Sequence, residues 1–108
     1  MELQRETGTL RVAGRVDAVV APELRDAVIT LVADNAGVAV TVDLSGVDFI
    51  DSAGLACLVQ GMKRARQGGG DLRLTAPENG DAFRVFELTR FDRVFAFVES
   101  PAAMPKAA

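Results

Sequence analysis

The chain has no histidine, no tryptophan and no tyrosine, and only one cysteine among its 108 residues. Without histidine there is no imidazole general base, no Ser-His-Asp or Cys-His pair, and none of the commonest metal ligand. A lone Cys57 cannot close an intrachain disulfide or build a cysteine-rich zinc site. It lies in the apolar stretch Leu55 to Val59, where a small buried hydrophobe is the expected role. This sparing use of cysteine points to a reducing, cytoplasmic compartment. Long hydrophobic runs are missing too: the longest, Leu55–Val59 and Val94–Val98, have five residues each, against the roughly 18 that span a bilayer. The first residues, Met-Glu-Leu-Gln-Arg-Glu, are polar and lack a signal-peptide core. A phosphate-binding loop is also absent. Gly68-Gly69-Gly70 follows a predicted helix instead of preceding one, so its amides cannot converge on a helix N-terminus. No cofactor, no metal and no enzymatic activity are expected.

What remains is the composition of an ordinary globular domain, 49% apolar and 25% charged with a formal net charge of −3. The length suits one domain, placed at residues 1–98. Residues 99–108 carry two prolines and little pattern, and are expected to form a flexible tail. Residues 1–50 hold 4 basic and 8 acidic side chains, residues 51–108 hold 8 and 7. An acidic first half argues against nucleic acid, which selects clustered lysine and arginine, and suggests a protein partner with a basic face.

Hydrophobic periodicity divides the chain into alternating elements. Residues 1–6 and 9–16 read as two strands joined by a turn at Thr7-Gly8-Thr9. From Pro22 the period becomes helical, with Leu24, Ala27, Val28, Leu31 and Val32 on one stripe and Gly37 beyond its end. Val38–Leu44 reads as a central strand, apolar and covered on both faces. A helix at about 53–67 carries Leu55, Leu58, Val59, Met62 and Ala65 on one stripe, and the three glycines stop it. Leu72–Thr75 is a short strand. Asn79 caps a helix at about 80–89 with a broad surface of Ala82, Phe83, Val85, Phe86 and Leu88, and Val94–Val98 is the last strand. The order ββαβαβαβ predicts an α/β domain, a small, mixed, mostly parallel sheet with helices in right-handed crossover connections. Chemistry in such sheets gathers at the carboxyl ends of the strands, where residues 43–55 fall.

Within that edge, Asp48 and Asp51 sit in a predicted loop between strand and helix, where turn and capping roles outweigh acid-base or cation chemistry. Asp51 or Ser52 is placed to cap the helix. Ser52 is also a hydroxyl at the positive end of a helix dipole, followed by small Ala53 and Gly54 that leave a kinase room to reach it. Phosphorylation there would add roughly −1.5 to −2 charges. Asp51, Asp48 and Asp17 would crowd the new anion, and a partner surface built for a neutral hydroxyl would be repelled. That describes a binding switch, with the fold itself unchanged.

The stretch Val42-Asp43-Leu44-Ser45-Gly46-Val47-Asp48-Phe49-Ile50-Asp51-Ser52-Ala53-Gly54-Leu55 resembles the STAS-domain family of bacterial anti-sigma-factor antagonists, whose signature is Asp-Ser-Ser/Thr/Ala-Gly-Leu behind a strand ending in Asp-Leu. The likeness spans about residues 8–98. Gly14-Arg15-Val16-Asp17 is similar to the family's Gly-x-Leu/Val-Asp, and Gly68-Gly69-Gly70-Asp71-Leu72 to its Gly-Gly-x-Leu turn.

The resemblance implies a cytoplasmic transcription regulator. Unphosphorylated, it would bind a serine-kinase anti-sigma factor and free a sigma factor; the kinase, holding the ATP itself, would phosphorylate Ser52 and end the contact, and a phosphatase would reverse it. It further implies partner contacts at Asp17, Asp48, Asp51, Ser52, Ala53, Gly54 and Leu55. Ala53 stands where many members carry a second hydroxyl, which leaves Ser52 as the only acceptor in the motif. Pro101 and Pro105 break the segment where the family usually ends in another amphipathic helix. The alternative within the same fold is a non-switching adaptor, in a stress-sensing assembly or a lipid-transport complex. An enzyme or phosphocarrier is disfavoured by the missing histidine and nucleotide loop.

Overall fold

A computed structural model describes residues 1–99. The elements are β1 (Glu2–Glu6), β2 (Thr9–Val16), α1 (Ala21–Asp34), β3 (Ala39–Ile50), α2 (Ser52–Gln67), β4 (Asp71–Thr75), α3 (Gly80–Leu88), a short 3-10 turn (Phe91–Arg93) and β5 (Ala96–Phe97). They form one sheet in the order β1-β2-β3-β4-β5, antiparallel between β1 and β2 and parallel thereafter. This is the mixed, mostly parallel α/β sheet that the pattern predicts. The expected tail lies outside the described residues beyond Glu99. Among the described residues no helix is long and apolar enough to cross a membrane.

Each crossover moves one strand further in the same direction, so the right-handed rule places α1, α2 and α3 on a single face. That face is the apolar one: Leu10 and Val12 of β2, Val40, Val42 and Leu44 of β3, and Leu72 and Leu74 of β4 are all essentially buried. The expectation that β3 is apolar on both faces is therefore corrected. Its second face carries Thr41 and Asp43, with Arg11 beside them on β2 and Thr75 on β4. Asp43 is nevertheless buried; its carboxylate lies 3.8 Å from the Arg11 guanidinium and accepts a hydrogen bond from the Ser45 amide at 2.9 Å.

Two helices meet closely over the sheet because Gly61 lets them: a Cβ there would stand 2.3 Å from Val28 Cγ1 and 3.0 Å from Leu72 Cδ1. Cys57 belongs to the same contact. It is buried, donates its thiol to the Ala21 carbonyl at 3.3 Å, and burial pushes its titration up, so it is an inert packing thiol.

Two boundaries and one burial differ from the pattern. β3 does not stop at Leu44 but continues to Ile50, because β2 keeps pairing with it as far as Val16↔Ile50 through two register shifts. The last strand shrinks to Ala96–Phe97, since Val94 and Phe95 are drawn into the turn by the Phe91 carbonyl, which accepts from both amides. Leu88 is 71% exposed; the end of α3 is packed instead through Phe86, whose ring meets Phe95 edge-on at 6.4 Å and Phe97 at 5.9 Å.

Candidate functional site

The carboxyl ends of β2 and β3 meet the first turn of α2. Asp51 is the residue between strand and helix. Its backbone is extended, φ −112 and ψ −175, and its amide donates to the Val16 carbonyl at 3.1 Å. From there Oδ1 accepts from the amides of Ala53 at 3.0 Å and Gly54 at 3.1 Å, the geometry of a helix N-cap. Between the two capping candidates the structure thus selects Asp51. Ser52 becomes the first helical residue, exposed, with no side-chain hydrogen bond among the described residues.

The second oxygen of Asp51 ties the cap to the turn after β2. Oδ2 accepts from the Ala18 amide at 3.1 Å. Asp17 organises the same turn from the other side, its Oδ1 accepting from Val19 at 3.1 Å and Val20 at 3.4 Å. Arg15 in turn holds Asp17: its Nε donates to Oδ2 at 3.0 Å, while its guanidinium lies 3.9 Å over the ring centre of Phe49. Asp17, Asp51 and Ser52 are thereby gathered around one backbone crossing, 35 residues apart in sequence from Asp17 to Ser52.

The Arg15 hydrogen bond is the main cause that lowers Asp17 below the usual carboxylate range. A depressed folded value means that the stabilisation it gives the turn is complete above the ordinary carboxylate range. It is lost as pH falls through the lowered value. In a carbon-13 NMR titration Asp17 is expected to titrate below the usual range, and Arg15→Gln to move it back up. An unchanged value in the variant would show that Arg15 is not the cause.

Asp48 is placed differently from expectation. It is not in a loop but in β3, where the register advances from Gly14↔Val47 to Arg15↔Phe49. Asp48 is therefore the extra residue of a bulge, exposed at the sheet edge, and the hydrogen bonds that fix Asp17 and Asp51 do not involve it. Gly54 and Leu55 are buried. A Cβ on Gly54 would stand 2.7 Å from Val16 Cγ1 and 2.9 Å from Ile50 Cγ1, so this glycine lets α2 approach the sheet and does not widen the space around Ser52. Ala53 is half-buried.

Beside Ser52 runs an apolar groove of about 430 Å³, walled on one side by Leu55, Ala56, Val59 and Gln60 of α2 and on the other by Thr89 and Phe91. Phe91 is set in that wall by an edge-on contact with Phe95, ring centres 6.3 Å apart. The far wall was invisible to sequence reasoning, since it depends on where the turn after α3 comes to rest. Arg15 could have been found, because it sits inside the motif Gly14-Arg15-Val16-Asp17. Among the described residues no group of three or more Cys, Asp or Glu side chains could hold a metal ion.

Residues 1–99 match the family model described as Mlab, STAS domain. The chain is 35% identical over 78 residues to an anti-sigma-B factor antagonist of Listeria monocytogenes, covering 72% of this chain and 67% of that one. An anti-sigma factor antagonist from Mycobacterium paratuberculosis superposes with a TM-score of 0.71 at 28% identity, over 94% of this chain and 86% of the other. The antagonist SpoIIAA in its unphosphorylated form superposes with a TM-score of 0.74 at 16% identity, over 98% and 94%. At that identity it shares the fold alone.

Proposed function

Because the chain belongs to the STAS-domain family of anti-sigma-factor antagonists, we propose that its unphosphorylated form binds a serine-kinase anti-sigma factor and so releases a sigma factor, and that phosphorylation of Ser52 switches this binding off. The kinase brings the ATP, and a phosphatase restores the hydroxyl. The observation that carries the reading is the division of labour at the cap. Asp51 satisfies the first-turn amides, so Ser52 is not needed to hold the helix. Its hydroxyl stands exposed at the rim of an apolar groove.

The groove suits an apolar segment of the partner docked beside the acceptor, with Leu55 in its lining and the turn held by Asp17 and Asp51 at the start of the same helix. Exposure of contiguous apolar surface of this kind marks interaction sites. Asp48, on its bulge, and Ala53 lie on the same edge and complete the proposed contact region, while Gly54 acts from beneath by letting α2 sit down.

Incubation with the candidate kinase and ATP, followed by intact-mass measurement, tests the assignment. One phosphate is expected on the wild-type chain and none on Ser52→Ala. Phosphate persisting in that variant would place the acceptor elsewhere. A wild-type chain that binds its partner yet never takes phosphate would instead support the non-switching adaptor.

A further inference from the structure

The bulge in β3 changes which side chain stands opposite Arg15. Pairing runs Gly14↔Val47 and then Arg15↔Phe49, so the extra residue Asp48 advances β3 by one position. An unbroken ladder would set Asp48 there. Instead the Arg15 guanidinium lies 3.9 Å over the centre of the Phe49 ring, where the negative face of the ring attracts it.

From that ring a continuous chain of contacts leads to Ser52. Arg15 Nε donates to Asp17 Oδ2 at 3.0 Å. Asp17 Oδ1 accepts from the amides of Val19 and Val20, and its carbonyl accepts from Val20 at 3.2 Å and Ala21 at 3.0 Å. The Ala18 amide of the same turn donates to Asp51 Oδ2 at 3.1 Å, while Asp51 Oδ1 caps the helix that Ser52 begins. The first link adds little to stability: the Arg15 side chain is 62% exposed, and solvent and lost side-chain freedom largely cancel an exposed ion pair. What it fixes is the orientation of the Asp17 carboxylate, and with it the turn that braces Asp51. Phosphoryl transfer depends on in-line placement of the accepting hydroxyl, and a small displacement of that hydroxyl lowers the rate steeply.

We propose that Arg15, held by Phe49, is a positioning residue for phosphorylation of Ser52: it locks the turn after β2 against Asp51 and so fixes the first turn of α2 in the orientation that the kinase requires. The inference rests on the switch reading. Neither Arg15 nor Phe49 lines the groove beside Ser52, so both act through Asp17 and Asp51, not by touching the docked segment.

The kinetics of Ser52 phosphorylation by the kinase anti-sigma factor and ATP, with this chain as the substrate, distinguish positioning from contact and from plain stabilisation. Arg15→Gln is expected to lower kcat about tenfold with KM within about twofold of wild type and a melting temperature within about 2 °C. Phe49→Leu is expected to lower kcat about threefold. The double variant should be no slower than Arg15→Gln alone, because the ring works only through the guanidinium. A raised KM with kcat unchanged would make Arg15 a direct contact, and multiplying effects in the double variant would show that the two side chains act separately. Either result overturns the proposal, as does wild-type kcat in Arg15→Gln or a slowed variant that also melts well below wild type. A wild-type chain that takes no phosphate at all would overturn the switch reading, and this role with it.

Discussion

Gly54→Ala is expected to lower the melting temperature by about 8 °C, on the order of 2 kcal/mol for a chain of this size. The added methyl has nowhere to go. It would stand 2.7 Å from Val16 Cγ1, 2.9 Å from Ile50 Cγ1 and 3.3 Å from Ile50 Cδ1. Both neighbours are buried in the core, Val16 at 0% exposure and Ile50 at 2%, and Val16 is a β-branched residue with a stiff χ1. The relief available is to lift the first turn of α2 from the sheet. That would stretch the cap from Asp51 and shift Ser52, so phosphorylation should slow as well. Gly80→Ala is the natural control, because a Cβ at Gly80 meets nothing within 4 Å, and it should melt at or slightly above the wild-type temperature. Thermal denaturation followed by circular dichroism decides the matter. An unchanged Gly54→Ala transition would mean that α2 does not pack as closely as described.

That glycine also shows how far the sequence could be read. The motif Asp51-Ser52-Ala53-Gly54-Leu55 marks the candidate site, but a string of small residues does not say whether they make room outside the helix or beneath it. The answer needs Val16 and Ile50, supplied by two strands. The same limit explains Asp48. The pattern ends the strand at Leu44 and puts Asp48 in a loop, yet parallel pairing with β2 carries the strand on to Ile50 by means of bulges that cannot be foreseen without the partner strand. The helices and their caps were legible because their signals are local: Asn79 does cap α3, accepting from Asp81 at 2.9 Å and Ala82 at 3.1 Å. Thr41 and Asp43 were present in the sequence as polar residues alternating with Val40, Val42 and Leu44, and that alternation was the sign of a strand with a single apolar face. The groove wall at Thr89 and Phe91 was not legible, because it is set by the aromatic contacts among Phe86, Phe95 and Phe91.

Phosphorylation of Ser52 is expected to weaken partner binding at least a hundredfold, the largest effect the account predicts. A phosphate at a helix N-terminus is ordinarily welcomed by the free amides of the first turn. Here the amides of Ala53 and Gly54 already donate to Asp51 Oδ1, and Ala18 donates to Oδ2. The added anion of about −1.5 to −2 charges is thus left facing outward at the rim of the groove. Asp51 is the residue next to it in the chain, and Asp17, ionised at neutral pH, holds the turn whose Ala18 amide donates to Asp51. A partner closing over that rim would have to bury an unneutralised anion beside carboxylates. Juxtapositions of that kind cost several kcal/mol, and about 2.7 kcal/mol already corresponds to a hundredfold. The fold itself has little reason to change, since Ser52 contributes no side-chain hydrogen bond to it and the cap belongs to Asp51.

The decisive measurement is a pair of calorimetric titrations of the same kinase anti-sigma factor, one with the unphosphorylated chain and one with the chain phosphorylated stoichiometrically at Ser52, each with its melting temperature recorded alongside. Tight binding is expected for the first and a loss of at least about a hundredfold for the second, with melting temperatures within a few degrees of each other. Equal affinities, or a phosphorylated chain that loses binding only because it unfolds, would contradict it.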